Sequence, residues 1–593
     1  MKQNVISILI DSVVWECVGT TRAKASATPF LDSLQKEAII ATNLYSHGPY
    51  TDAATKSLYT GRNTLDDYSF FYKLNSSPTN HFKEFHDNGY ETYGVYYPYY
   101  MYGPEMQPYI DHSYYTSHFI FTSEWHTFMF FKKVVESRDL EERELKLLRK
   151  RIALMFDVWI GFYEDIIVHP ERMVLLDAPF RQFNVKEALD VLHGEYEKFK
   201  EQKDEYIIQF LKGGYRLFEK VDKIDYDSLM DRDYIDNQIF KKYDSIFKKA
   251  SKINRKANFS KSMPSFKRVC HGIWRYLKKR DINEIKFLAN YWYSLRPIEE
   301  MKKQSHLHEW QCLTSSQMQM DLAAQLLRQH KGDKPFYLSM HVLEPHNYLT
   351  CFTYDKKDPK LHSEEMSVLK EYLDNVGTDF KGSVLFFMSL RYVDYCIEKF
   401  CNKLKEMGLW DSTTLLFVAD HGSSYSFHPL HGARVNTFDD ECYHIPMMIR
   451  SPQMKPVEIT HYCNSRDILP TLLDVVGLPQ SKFFKGHSLL DNNYVWPDYV
   501  MTEYAGPGCP EVRGRRLWFS ARNKEYMVAY RVAVYEKFED GELAEVHNLI
   551  KDPSCYYNIA DSIDRSKIEP LLALIKKRFD EVCKDSQEFI DRL

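Results

Sequence analysis

The 593-residue chain is 44% hydrophobic and 27% charged, an ordinary globular balance with room for a large core and two or three structural units. Its formal charge of −5 gives no reason to expect nucleic acid or an anionic membrane surface as a partner. No apolar run approaches the roughly 20 residues of a transmembrane segment. No basic leader with a cleavage site precedes the first strand, and the eleven cysteines lack CxxC spacing, so free thiols and a cytoplasmic location are expected.

Asn4 to Asp11 is a nearly unbroken apolar run that ends on a carboxylate, which reads as a buried strand of a parallel sheet. Ligands of open α/β sheets gather beyond the carboxyl ends of strands, and Asp11 stands at such an end. Thr28-Pro29 opens a helix, with Thr28 expected as N-cap and Pro29 at the first helical position. A short strand follows near Ile39 to Leu44. Then comes the loop His47-Gly48-Pro49-Tyr50-Thr51 and a run from Asp52 to Tyr59 that stops at Thr60-Gly61-Arg62. The turn Asp87-Asn88-Gly89 leads into a strand, Tyr90 to Tyr97. This alternation predicts a doubly wound α/β core.

From about 120 to 310, Lys, Arg and Glu dominate and amphipathic patterns recur, as in Leu140 to Phe156. The segment reads as a helical insertion whose charge runs are solvated faces. The α/β pattern resumes with the strand Lys334 to Met340, leading to Glu344-Pro345-His346. A helix over 384–407 carries Leu390, Val393, Ile397, Phe400 and Leu404 at 3,4 spacing, with Gly408 as its stop. Strand Thr414 to Ala419 runs into Asp420-His421-Gly422, and short strands precede a closing helix from Lys567 to Cys583. The expected fold is α/β: a doubly wound mixed, mostly parallel sheet with a large helical insertion and a smaller C-terminal α+β subdomain. Its expected parts are a catalytic core over 1–119 and 311–490, the insertion over 120–310, and the subdomain over 491–593.

Asp11 and Asp420-His421 repeat one feature, an apolar strand that ends in ligand-type side chains. Two carboxylates and an imidazole suit a divalent cation of the Mn, Mg or Zn kind. Thr51 precedes a helix, where a hydroxyl lies among free backbone N–H groups and an anion binds well; on local sequence alone it also reads as a plain N-cap. A threonine hydroxyl becomes a nucleophile only beside a metal or a base.

Together, Ile10-Asp11, Thr28 to Asp32, Thr51 to Arg62, Lys334 to His346 and Arg391-Tyr392-Val393-Asp394 resemble the sulfatase-like branch of the alkaline phosphatase superfamily. So do Gly408 to Asp411 leading to Asp420-His421-Gly422, Asp467 to Asp474, and Asp552-Pro553 with Asn558. The resemblance covers about 1–115 and 310–593 and implies an alkaline phosphatase-like fold. It implies metal ligands at Asp11, Asp420 and His421, with Thr51 as nucleophile and further ligand. His346 and His431 match positions that contact the anionic group or move a proton, and Arg434 falls where sulfatases commonly have a lysine.

The departures from the family pattern carry information. A working sulfatase converts the Cys or Ser of a Cys-x-Pro-x-Arg element to formylglycine, and here that element reads Thr51-Asp52-Ala53-Ala54-Thr55. The usual second aspartate after Asp11 is Ser12, and the Lys and His of a later loop are replaced near Tyr97 and Tyr99. A threonine beside a metal with a histidine ligand resembles the phosphoglycerol and phosphoethanolamine transferases. The resemblance therefore implies a metal-dependent phosphotransferase or phosphoester hydrolase with a phosphothreonine intermediate. One divalent ion, Mn or Zn ahead of Mg or Ca, is expected, with a phosphoester donor and a hydroxyl acceptor such as a glycan. The alternatives are a sulfuric ester hydrolase and an inactive anion-binding protein that uses the insertion for interactions.

Overall fold

The computed structural model describes residues 2–19, 26–96, 105–116, 122–173, 184–213, 217, 237, 240, 241–262, 266–280, 315–346, 359–375, 384–423, 438–505, 517–553, 555 and 557–593. Its main sheet has eight strands in the order β5-β4-β6-β1-β7-β8-β2-β9. In chain order these are β1 (Asn4–Ile10), β2 (Ala38–Ala41), β4 (Glu91–Tyr96), β5 (His112–Tyr115), β6 (Phe336–Val342), β7 (Thr413–Val418), β8 (Met447–Arg450) and β9 (Val457–Ile459). The run β5 to β7 is parallel throughout, and β8 alone runs antiparallel to both of its neighbours. A two-stranded parallel pair, β3 (Leu44–Tyr45) with β10 (Cys463–Asn464), lies apart from it.

β1 owes its central place to its residues. Val, Ile and Leu fill both faces, and six of its seven positions are buried, as a strand covered on two sides requires. Its register sets Ile10 beside Val342 of β6 and Leu9 beside Val418 of β7, so the three strands end nearly level. Asp11, His341 and Asp420 are thereby delivered to one edge.

The helices of the core are α1 (Pro29–Leu34), α2 (Thr51–Thr60), α3 (His81–Asp87), and, after a helical region, α10 (Ser316–Gln329), α11 (Pro359–Asn375), α12 (Val384–Glu406) and α13 (Ile468–Val475). Between them come α4 (Thr122–Ser137), α5 (Glu142–Val168), α6 (Val185–Gln202), α7 (Asp204–Gly213), α8 (Asp244–Ser262) and α9 (Phe266–Lys279). Leu147, Ile152, Phe156 and Trp159 of α5 and Leu192 of α6 join the same buried cluster as the sheet, so these helices share its core. No described helix is long and apolar enough to cross a membrane.

β11 (Val500–Ala505), β12 (Leu517–Arg522), β13 (Tyr526–Val532) and β14 (Glu542–Asn548) form an antiparallel sheet. Helix α14 (Glu569–Arg592) buries Leu571, Ile575, Phe579 and Val582 against Leu517, Phe519 and Val528. No disulfide joins the described cysteines; Cys270 is exposed, Cys583 half-buried and the rest buried.

Several boundaries differ from the sequence reading for identifiable reasons. Thr28 makes no side-chain cap; its Oγ1 donates to Asp32, and α1 is capped by the carboxylate of Asp394, which accepts from the N–H groups of Phe30 and Leu31 at 3.0 Å each. Tyr50 holds the cap position of α2, so Thr51 is its first helical residue. β6 continues past Met340 to Val342, because pairing with β1 extends it. The closing helix runs nine residues beyond Cys583, to Arg592.

Candidate metal centre

Three elements carry the site. Asp11 follows β1, Asp420-His421 follows β7, and Thr51 opens α2. A fifth residue, His341 on β6, joins the group. Asp11, His341, Asp420 and His421 are all buried, and Thr51 is half-buried.

The loop before α2 is pinned to the sheet end. Ser46 Oγ lies 2.6 Å from both the Gly48 and the Asp420 carbonyl oxygens, and the His47 N–H donates to Ser465 Oγ at 3.0 Å. Gly48 passes so close to α2 that a Cβ there would meet Ala53 Cβ at 2.5 Å. Gly422 is tighter still, since its Cβ would lie 1.8 Å from the Glu441 carbonyl oxygen, while its N–H donates to Cys442 at 2.8 Å. Ser12 adopts φ 64°, a left-handed conformation uncommon for serine. That turn lets its N–H donate to Asp420 Oδ1 at 3.1 Å and its Oγ donate to Asp11 Oδ1 at 2.6 Å.

Thr51 Oγ1 lies 3.2 Å from Asp11 Oδ2 and 3.3 Å from His421 Nε2. His421 Nδ1 lies 2.5 Å from the Gly422 carbonyl oxygen, an acceptor that fixes the Nδ1–H tautomer and turns the Nε2 lone pair toward Thr51. His421 Nε2 is also 3.7 Å from Asp11 Oδ1 and 3.5 Å from Asp420 Oδ2. His341 Nε2 sits 3.0 Å from Asp11 Oδ2.

The two carboxylates are driven apart. Burial raises the pKa of Asp11, but the charges of His346, His341 and His421 and the His341 hydrogen bond outweigh it and hold this carboxyl well below its ordinary range. Asp420 is raised, first by burial and then by the charge of Asp11, with His421 and His341 offsetting part. The Asp420 Oδ2 atom is buried and has no hydrogen-bond donor among the described residues. An uncompensated oxygen of this kind is costly, and a cation satisfies it. Ligand atoms of Asp11, His341 and Asp420 all lie within 4.8 Å of one another. Two carboxylates with imidazole nitrogens suit Mn, Zn or Mg, so the residues present fit a divalent cation.

Asp11, Thr51, Asp420 and His421 are thus brought together as the sequence predicts. His346 stands exposed, near enough for its charge to lower Asp11. His431, Arg434, Tyr97 and Tyr99 lie outside the described residues. His341 is the addition. A lone imidazole near the C-terminal end of a fully buried strand is the signal that exposes it.

The family description Sulfatase matches residues 3–128 and 256–478. The chain belongs to the sulfatase family. It thereby falls in the sulfatase-like branch of the alkaline phosphatase superfamily, whose members bind a divalent metal. The match passes over 129–255, inside the expected insertion. An arylsulfatase of Clostridium perfringens is 29% identical over 234 residues, 34% of this chain and 48% of the relative. Lipoteichoic acid synthase 1 of Bacillus subtilis is 27% identical over 156 residues, 25% of this chain and 22% of the relative. This sulfatase-family chain spans less than two thirds of the length of the curated relatives it matches. The phosphonate monoester hydrolase of Agrobacterium radiobacter shares the fold, with a TM-score of 0.50, 14% identity, and coverage of 98% of this chain and 96% of that one.

Proposed function

We propose that this sulfatase-family protein is a metal-dependent phosphoryl-group transferase or phosphoester hydrolase that works through a phosphothreonine at Thr51. The observation that carries the reading is the position of Thr51 Oγ1, 3.2 Å from Asp11 and 3.3 Å from His421 Nε2, at the N-terminus of α2. The helix end offers N–H groups to an anion. The His421 lone pair accepts the hydroxyl proton as Oγ1 attacks phosphorus, and the ester oxygen departs with the electron pair of its bond to phosphorus. His346, exposed and near enough for its charge to act on Asp11, is assigned the role of giving that oxygen a proton or taking one from the incoming water or acceptor hydroxyl. A divalent cation held by Asp11, Asp420 and His341, which leaves the His421 lone pair for the Thr51 proton, would supply charge stabilisation for the phosphoryl oxygens. The likeness to a lipoteichoic acid synthase supports a phosphoglycerol-type donor and a hydroxyl acceptor.

A sulfuric ester hydrolase is the second reading, favoured by the arylsulfatase and N-acetylglucosamine-6-sulfatase relatives. It meets a chemical obstacle at Thr51. Formylglycine requires a carbon with one oxygen or sulfur and two hydrogens, which Cys and Ser have and threonine, with its methyl branch, lacks. Aryl phosphate mono- and diesters and aryl sulfates, assayed with added Mn, Zn and Mg, separate the two. Phosphate-ester turnover with a phospho-Thr51 peptide in the mass spectrum is expected. Thr51→Ala should lower turnover roughly a thousandfold or more while cation binding persists. Faster sulfate turnover, or Thr51→Ala at the wild-type rate, would overturn the proposal.

A further inference from the structure

The segment from 244 to 280 opposes the charge of the rest of the chain. It holds twelve basic residues and one acidic residue, Asp244, in a protein whose formal charge is −5. Within it, α9 has no acidic residue. Helical spacing sets Val269, Cys270, Ile273, Tyr276 and Leu277 on one side, and the sequence of α9 carries five lysines and arginines as its only formally charged residues.

The fold leaves part of the apolar side uncovered, with Val269 and Tyr276 half-buried. Ile273, Trp274 and Leu277 are 47%, 48% and 65% exposed, and no other described stretch exposes three large apolar residues within five positions. Cys270 on the same side is also exposed. Lys278 Nζ lies 4.8 Å from the Trp274 ring centre and the Arg280 guanidinium 6.0 Å from that of Tyr276, so cations border the aromatic edge.

Exposed aliphatic residues, a tryptophan at their margin and an exclusively basic set of charged residues are the requirements of a helix lying in a bilayer interface. A polyanion such as nucleic acid would complement the charge but leave Ile273 and Leu277 in water. An apolar groove on another protein would not call for so uniform a charge. We infer that α9 is a peripheral membrane anchor. It seats Ile273 and Leu277 at the acyl boundary of a bilayer rich in anionic lipid, with Trp274 at headgroup level and Lys278 and Arg280 toward lipid phosphates.

The test is co-sedimentation of the full chain with vesicles of phosphatidylcholine alone and with vesicles having a third of that lipid replaced by phosphatidylglycerol. At least about tenfold more protein should sediment with the anionic vesicles, and added salt should reverse this. Ile273→Ser/Trp274→Ser/Leu277→Ser should lose that preference while keeping the wild-type circular dichroism spectrum and aryl phosphate turnover. Leu277→Ser alone, at the most exposed of the three positions, should lose part of it. Equal binding to both vesicles would overturn the inference. So would wild-type binding by the triple variant, and heparin binding by that variant would then identify a polyanion site.

Discussion

At the scale of single residues, the site rests on two carboxylates that face one another with opposite electrostatic fates. Asp11 is surrounded by imidazoles and stays ionised, whereas Asp420 bears both burial and the Asp11 charge. Removing an imidazole should therefore cost cation affinity. His341→Ala is expected to weaken divalent binding by about 10–100-fold, measured by titration calorimetry with Mn; unchanged affinity would remove His341 from the centre. His341 is only half legible in the sequence: an imidazole near the end of an apolar strand marks it, but nothing local tells which side it faces. Asp11, Asp420 and His421 were legible because each ends an apolar run, and chain ends of parallel strands converge. The left-handed Ser12 was not legible: contacts of its N–H with Asp420 and of its hydroxyl with Asp11 hold a serine in that conformation.

At the scale of elements, short-range signals named most of the strands and helices but missed their long-range closures. Pro29 correctly opens α1, yet the cap is Asp394 on α12, more than 360 residues later. Asp394 is buried, which pushes its pKa up to about 7, with the Leu31 and Phe30 N–H groups and Arg391 pulling the other way. Asp394→Ala should leave both N–H groups without that acceptor and destabilise the protein by about 1–2 kcal/mol, read as a lower urea midpoint. An unchanged midpoint would show that water replaces the cap at no cost. Gly422 makes the corresponding case in a loop. Because its Cβ would collide with backbone rather than a movable side chain, Gly422→Ala should displace His421. The expected loss is at least about tenfold in turnover, with Gly332→Ala, strained by a φ of 78° but meeting no neighbour, as the control for general destabilisation.

At the scale of the whole molecule, buried arginines tie the C-terminal sheet to the catalytic half: Arg522 of β12 pairs with Asp440, and Arg578 makes the larger junction. Arg578 of α14 donates to Glu503 of β11 at 2.8 and 2.9 Å and to Asp66 at 2.6 Å; Asp66 follows α2 closely in the chain, and the Leu65 N–H donates to the same Glu503. Burial raises the pKa of Asp66, but Arg578 and Arg62 outweigh it and bring it to about 2. With the folded value below the ordinary 3.8, its stabilising contribution is full above about pH 4 and is lost as pH falls through 2. A shift of this size is worth about 2 kcal/mol. Arg578→Ala leaves two buried carboxylates without their cation, at an expected cost of about 3–5 kcal/mol at pH 7. As those carboxylates protonate, the difference between variant and wild type should shrink toward pH 3. Urea unfolding followed by circular dichroism at pH 7, 5 and 3 measures it directly. A difference that stays constant with pH would mean that Arg578 acts by packing alone.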